Sequence, residues 1–150
     1  MKKDIRYVPT PPLVVQGMLE LANVTRGDVF FDLGCGDGRL VIAAAQRGAQ
    51  GLGVDIDLSL VERSRVNAEA AGVTASTEFR HGNFFQADLG RATVVALYLF
   101  PKVNRALLPK LLAELAPGTR IVSHSFDMGD WQPDQVLEVD CKLVYLWTLP

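Results

Sequence analysis

Two groups of residues in this sequence have the types and spacing to bind a nucleotide-like ligand, and a third can work on an acceptor. The first is Asp32-Leu33-Gly34-Cys35-Gly36-Asp37-Gly38, three alternating glycines directly after a short apolar run. Glycines there let the backbone come close to a ligand, because in an open α/β sheet ligands bind beyond the carboxyl ends of the strands at the switch point. The second is Asp55, 21 positions after Gly34, where a carboxylate can accept both hydroxyls of a ribose. A dinucleotide fingerprint needs a third glycine at position 39, which holds Arg39, and no Gly-Lys-Ser/Thr follows to make a phosphate loop. The loop therefore matches neither of these two phosphate-binding fingerprints. The third group is aromatic: Tyr7, Tyr98, Phe126 and Trp131, with His124 in Ser123-His124-Ser125-Phe126. Histidine titrates near neutrality, so His124 is a candidate base or ordering group.

The elements that must position these residues follow from periodicity. Tyr7-Val8-Pro9-Thr10-Pro11-Pro12 reads as extended, because residues before proline avoid the helical region, and Thr10 is a natural N-cap for a helix running toward Arg26-Gly27-Asp28. Val29 to Leu33 lacks alternation, as a strand buried on both faces does. Arg39 to Arg47 and Leu58 to Ala71 are predicted helices, and Gly51 to Asp55, Ser76 to Arg80, Thr93 to Tyr98 and Thr119 to Ser123 predicted strands. Asn104 to Leu115 is a helix with Pro109 inside it, expected to kink or break there. Gln135 to Asp140 and Leu143 to Leu149 leave no room for a crossover, so they form an antiparallel hairpin. The fold class is α/β: a doubly wound, mostly parallel, seven-stranded sheet ending in that hairpin.

Composition narrows the functions. At 150 residues the chain is expected to be one domain, with an N-terminal capping segment over 1–24, a cofactor core over 25–90 and a substrate side over 91–150. A net charge of −2 gives no broad basic field for nucleic acid, which is not expected as a partner. Two cysteines and no signal-like start suggest a reducing cytoplasm. The longest apolar run, Val94 to Phe100, is far short of a membrane span. No cluster has metal-ligand spacing, so no metal is expected.

The loop Asp-x-Gly-x-Gly-x-Gly, followed by Asp55, resembles that of class I S-adenosylmethionine (SAM) methyltransferases. The resemblance implies a Rossmann-like fold and SAM as cofactor, with S-adenosylhomocysteine (SAH) as product. On this reading Asp55 takes the ribose, Ile56 gives adenine an apolar face, and Asn83, with Phe84 beside it, stands where such enzymes usually have an Asp touching the adenine amino group. An Asn carbonyl can accept that hydrogen bond without the charge-assisted share. SAM carries an ammonium and a sulfonium, which Asp32 and Asp37 can face. Thr10, Gly34, Cys35, Gly36 and Tyr98 complete the expected cofactor contacts.

The flanking motifs Tyr7-Val8-Pro9-Thr10-Pro11, Asp-Leu-Gly-Cys-Gly-Asp-Gly-Arg with Ala43-Ala44-Ala45, Ser64-Arg65, and Tyr98-Leu99-Phe100-Pro101 before Asn104 narrow the match. They resemble small prokaryotic relatives of the mitochondrial protein-lysine methyltransferases acting on the c-ring protein of ATP synthase and the adenine nucleotide translocase. The resemblance covers roughly Tyr7 to Trp131 and implies a lysine-containing protein substrate. The mitochondrial members' hydrophobic targeting segment is not seen, so an organelle-membrane substrate is not expected. Tyr98-Leu99-Phe100-Pro101 replaces the Asn/Asp-Pro-Pro-Tyr/Phe run of enzymes that methylate planar amino groups, which disfavours adenine N6.

A lysine amine, with a pKa of about 10.4, attacks only when neutral. An apolar channel of Tyr7, Tyr98, Phe126 and Trp131 and the sulfonium charge both lower that pKa, and aromatic faces attract the methylammonium product. Between Ile121 and Cys141 there is no Lys or Arg, while Asp127, Asp130, Asp134, Glu138 and Asp140 are present; at the substrate mouth they would attract a basic peptide. Two other functions fit the same residues: methylation of a small metabolite, and SAM binding without catalysis. With no residues left over for a lid, the site is expected to be an open mouth or to be completed by a second subunit in a homodimer.

Overall fold

The computed structural model describes residues 8–150. Its architecture starts from β1 (Val29–Leu33), whose apolar side chains alternate between two layers. Phe30 packs into one core with Val14, Met18, Leu40 and Val122, while Phe31 and Leu33 pack into the other with Leu97, Leu107, Ile121 and Trp147. A strand covered on both faces needs no polar alternation, which is why the run reads as continuous.

The remaining elements follow in order. The helix α1 (Pro12–Leu21) precedes β1; α2 (Arg39–Gln46), β2 (Gln50–Asp55), α3 (Leu58–Ala70), β3 (Thr77–His81), β4 (Val94–Leu97), α4 (Pro101–Glu114), β5 (Arg120–His124), β6 (Gln135–Val139) and β7 (Lys142–Thr148) come after it. The sheet order is β3-β2-β1-β4-β5-β7-β6. The first five strands are parallel, and β7 is antiparallel to both β5 and β6. This is the expected seven-stranded, doubly wound, Rossmann-like sheet. The direction of winding reverses between β1 and β4, so their carboxyl ends open the ligand crevice.

Register decides what meets there. Leu33 pairs with Val54 and with Leu97, and Leu97 pairs with Ser123. The residues that follow these partners, Gly34, Asp55, Tyr98 and His124, are therefore set in a row along one edge of the sheet.

Two expectations about helices are corrected. Pro11, not Thr10, occupies the N-cap of α1 and makes no side-chain cap; Pro12 at the first helical position has its φ already fixed for a helix. The fourth helix begins at Pro101 rather than Asn104 and runs unbroken through Pro109. Pro109 is exposed, while Val103, Leu107 and Leu111 are buried on the core stripe, so packing on that stripe holds the helix across the missing amide. Among the described residues no helix is long and apolar enough to cross a membrane.

Candidate active site

Gly34, Gly36 and Gly38 all have φ between 56° and 86°, the left-handed region that costs other residues roughly 1–2 kcal/mol each. At Gly38 a Cβ would also lie 3.0 Å from Phe79 and Ser64, so the alternating glycines serve both conformation and space. The α3 helix fixes the loop from below. Ser64 Oγ donates to the Gly36 carbonyl at 2.8 Å, and Asn67 Nδ2 donates to the Asp37 carbonyl at 3.0 Å. From the sheet side, Gly34 N and Cys35 N both donate to the Val54 carbonyl.

Asp55 ties the loop to β2. One carboxylate oxygen accepts from Gly36 N at 2.9 Å and the other from Asp57 N at 2.9 Å. Each oxygen keeps a lone pair for a ligand hydroxyl. Asp32 is buried beside it, and its carboxyl is held well above the usual carboxylate range, first by burial and then by the charges of Asp55 and Asp37. Such a carboxylate calls for a cation. Asp37 stands differently from expectation, because it grips Arg39 in a bidentate pair with Nη2–Oδ2 at 2.6 Å and Nε–Oδ1 at 3.0 Å. Its charge is taken up by Arg39, and Asp32 is the carboxylate suited to a ligand cation.

Cys35 is packed with Val41, Val61, Ala68 and Phe79, and burial, with Asp32 and Asp55 nearby, pushes its thiol up. A Cβ on Gly53 would lie 2.7 Å from the Cys35 Cβ, so the small residue at 53 makes room for the Cys35 side chain. Asn83 caps the 3-10 turn Phe84–Gln86 through its carbonyl, which accepts from Phe85 N at 3.0 Å. That carbonyl has one lone pair left for adenine. Ile56 is half-buried, its carbonyl bonded to His81 Nε2 at 3.0 Å, and Phe84 is buried near Leu99. This set fits SAM: Gly34 is exposed at the crevice, a buried carboxylate suits the ammonium, and no phosphate ligand is required.

The acceptor side is aromatic. Tyr98 and His124 stack with centroids 3.9 Å apart at 23°; Phe126 lies 5.9 Å from Tyr98 and nearly parallel to it, and Phe100 meets Phe126 edge-on at 5.5 Å. His124 is buried, its Nδ1 is 3.2 Å from Thr10 Oγ1, and its Nε2 has no hydrogen-bond partner among the described residues. Burial first, then the Lys142 charge, lowers its pKa to about 4. A base that weak is not tuned to take a proton near neutral pH.

One of the expected channel residues, Trp131, is not brought into this set. Trp131 packs on Trp147 at 5.9 Å and accepts the Trp147 Nε1 hydrogen through its carbonyl at 2.8 Å, so it belongs to the core edge. Tyr7 lies outside the described residues. Sequence reasoning also missed two side chains that shape the turn after β5. Asn104, fully buried, donates from Nδ2 to the Asp127 carbonyl at 2.9 Å, and Ser123 Oγ donates to the Phe126 carbonyl. A buried asparagine on the core stripe of α4 is their only trace in sequence. Of the five acidic residues after β5, Asp127 caps Gly129 N and Asp134 accepts from Thr148 N, and all five lie at least partly open to solvent. No group of three or more His, Cys, Asp or Glu among the described residues could hold a metal.

Comparison with known proteins bears on this geometry. The model of the ANTKMT methyltransferase domain matches residues 32–135. A protein-lysine N-methyltransferase of Saccharolobus islandicus is 45% identical over 138 residues, covering 91% of this chain and 86% of its own length. An adenine nucleotide translocase lysine N-methyltransferase of Mus musculus is 34% identical over 138 residues, covering 91% of this chain, which spans only 60% of that relative. A crystal structure described as an RNA methyltransferase from Salinibacter ruber, in complex with S-adenosyl-L-homocysteine, matches at 54% identity and a TM-score of 0.94, covering 95% and 94% of the two chains.

Proposed function

The chain belongs to the ANTKMT methyltransferase family and is a SAM-dependent methyltransferase, and from that premise we propose that its acceptor is the side-chain amine of a protein lysine. The observation that carries this reading is the neutral aromatic wall of Tyr98, His124 and Phe126, followed in the chain by the acidic residues after β5. A lysine is drawn toward the acids as a cation. Against the apolar wall its charged form is disfavoured, so the proton is shed to solvent before attack.

SAM, when bound, supplies an electrophilic methyl group on a sulfonium. Asp32 would hold its ammonium, Asp55 its ribose hydroxyls, and Ile56, Asn83 and Phe84 its adenine. The protein's remaining work is positioning: the aromatic faces orient the amine, exclude water and favour the methylammonium product. His124, neutral, orders Tyr98 rather than accepting the proton. We place the protein in the cytoplasm, working through an open mouth on an extended segment of its substrate, with a homodimer as the arrangement that would wall the mouth.

The Salinibacter ruber relative's description favours RNA as a second reading. An RNA acceptor needs cations along its phosphates. Ile121 to Cys141 offers no Lys or Arg and five acids, which supports the protein acceptor. Incubation of the enzyme with methyl-labelled SAM and lysate of its own cells tests the two. Label in protein, surviving ribonuclease and released as methyl-lysine on hydrolysis, is the expected result; label lost to ribonuclease or confined to small molecules overturns it.

A further inference from the structure

Thr10 is buried at 5% exposure, although it stands in an extended segment held by Pro9, Pro11 and Pro12 and caps no helix. Its two polar ends go to opposite halves of the site. The carbonyl accepts from Arg39 Nη1 at 3.1 Å, and Arg39 is clamped on Asp37 of the glycine loop, whose own carbonyl is held by Asn67. The hydroxyl meets His124 Nδ1 at 3.2 Å, and the His124 ring lies flat on Tyr98. This one residue therefore closes a continuous path from the loop that faces the cofactor to the aromatic wall that faces the acceptor.

We propose that Thr10 is a positioning residue that couples the glycine loop to the acceptor wall, so that cofactor bound at the loop holds Tyr98, His124 and Phe126 more firmly for reaction. The proposal rests on the assignment of that wall as the acceptor side, and on no particular acceptor. The physical basis is that Arg39 is tied to Asp37 of the loop, Thr10 has its backbone stiffened by flanking prolines, and the His124 imidazole has no hydrogen-bond partner other than Thr10 among the described residues. Thr10 is thus the hydrogen-bonded link between Arg39 and the imidazole.

The test uses SAH and backbone hydrogen exchange read by mass spectrometry, which needs no acceptor. In the unmodified protein, SAH is expected to slow exchange both at residues 34–38 and at residues 123–128, the latter by about fivefold or more, the lower end of ordinary coupling between sites. In T10V, which keeps the shape and removes the hydroxyl, SAH still protects 34–38 and no longer protects 123–128; T10S restores the second effect. Protection at 34–38 in T10V also reports that the variant is folded. Full protection of 123–128 in T10V, or none in the unmodified protein, overturns the proposal. Absence of SAH binding altogether would instead strike at the cofactor site, and label found in RNA by the lysate experiment would strike at the lysine acceptor while leaving this coupling standing.

Discussion

The Gly36 amide donates to the Asp55 carboxylate at 2.9 Å, while the other oxygen of Asp55 takes the Asp57 amide. One side chain thus fixes the glycine loop and, on the proposed reading, would also take the ribose. D55A is expected to weaken SAH by about 1–3 kcal/mol and to destabilise the ligand-free protein as well, because the loop amides lose a buried acceptor. Calorimetric titration with SAH and thermal unfolding without it check both halves. Loss of affinity with unchanged unfolding would mean that the loop does not depend on Asp55.

Asp32 should show two effects of opposite sign. Its folded pKa is raised by burial, then by Asp55 and Asp37. A raised carboxyl contributes stability at low pH that is lost as pH rises toward and through the folded value, so at neutral pH burying this group costs the empty protein stability. D32N is expected to raise the melting temperature at pH 7 by about 2–4 °C for each kcal/mol relieved and to weaken SAH by about tenfold or more, since a charged hydrogen bond to the ammonium is lost. Titration in buffers of different ionisation enthalpy should also show proton release on SAH binding near the folded pKa. Changes of the same sign would remove Asp32 from the ammonium.

What the sequence makes legible is local, and what it hides is long-range. The glycine loop and Asp55 are readable because strand, turn and carboxylate lie within one βαβ unit, where spacing implies position. The pairing of Thr10 with His124 spans 114 positions and depends on the β4–β5 register, so by local rules Thr10 reads as a helix cap. Trp131 reads as a channel residue because an aromatic near the substrate edge has two possible faces, and contact with Trp147 decides between them. Pro109 misleads for the opposite reason: its local rule is sound, but core packing by Leu107 and Leu111 overrides it.

Asn104 and Ser125 shape the turn that carries Phe126. Asn104 donates to the Asp127 carbonyl and is fully buried, and Ser125 sits at φ 68°. N104A is expected to destabilise the protein by about 1–3 kcal/mol, since a fully buried side chain and its hydrogen bond to the Asp127 carbonyl are lost. S125G should stabilise it by up to about 1 kcal/mol by relieving left-handed strain, offset in part by glycine's unfolded-state entropy. Urea unfolding measures both. A stabilised S125G with lower turnover would show that the fixed turn serves the reaction.

His124 sets the final expectation. Its folded pKa is about 4, below the ordinary 6.5, through burial and then Lys142. A depressed histidine favours the neutral form in the fold, so its contribution to stability is complete above about pH 6.5 and is lost as pH falls through about 4. H124N should flatten that acid limb of the stability curve, and the imidazole should show no NMR titration between about pH 5.5 and 8. Methylation rate should then rise with pH beyond about 8, following the acceptor amine, with no inflection near 6.5. An inflection there that vanished in H124N would make His124 the general base, and Tyr98 would be stacked on a residue that takes the proton.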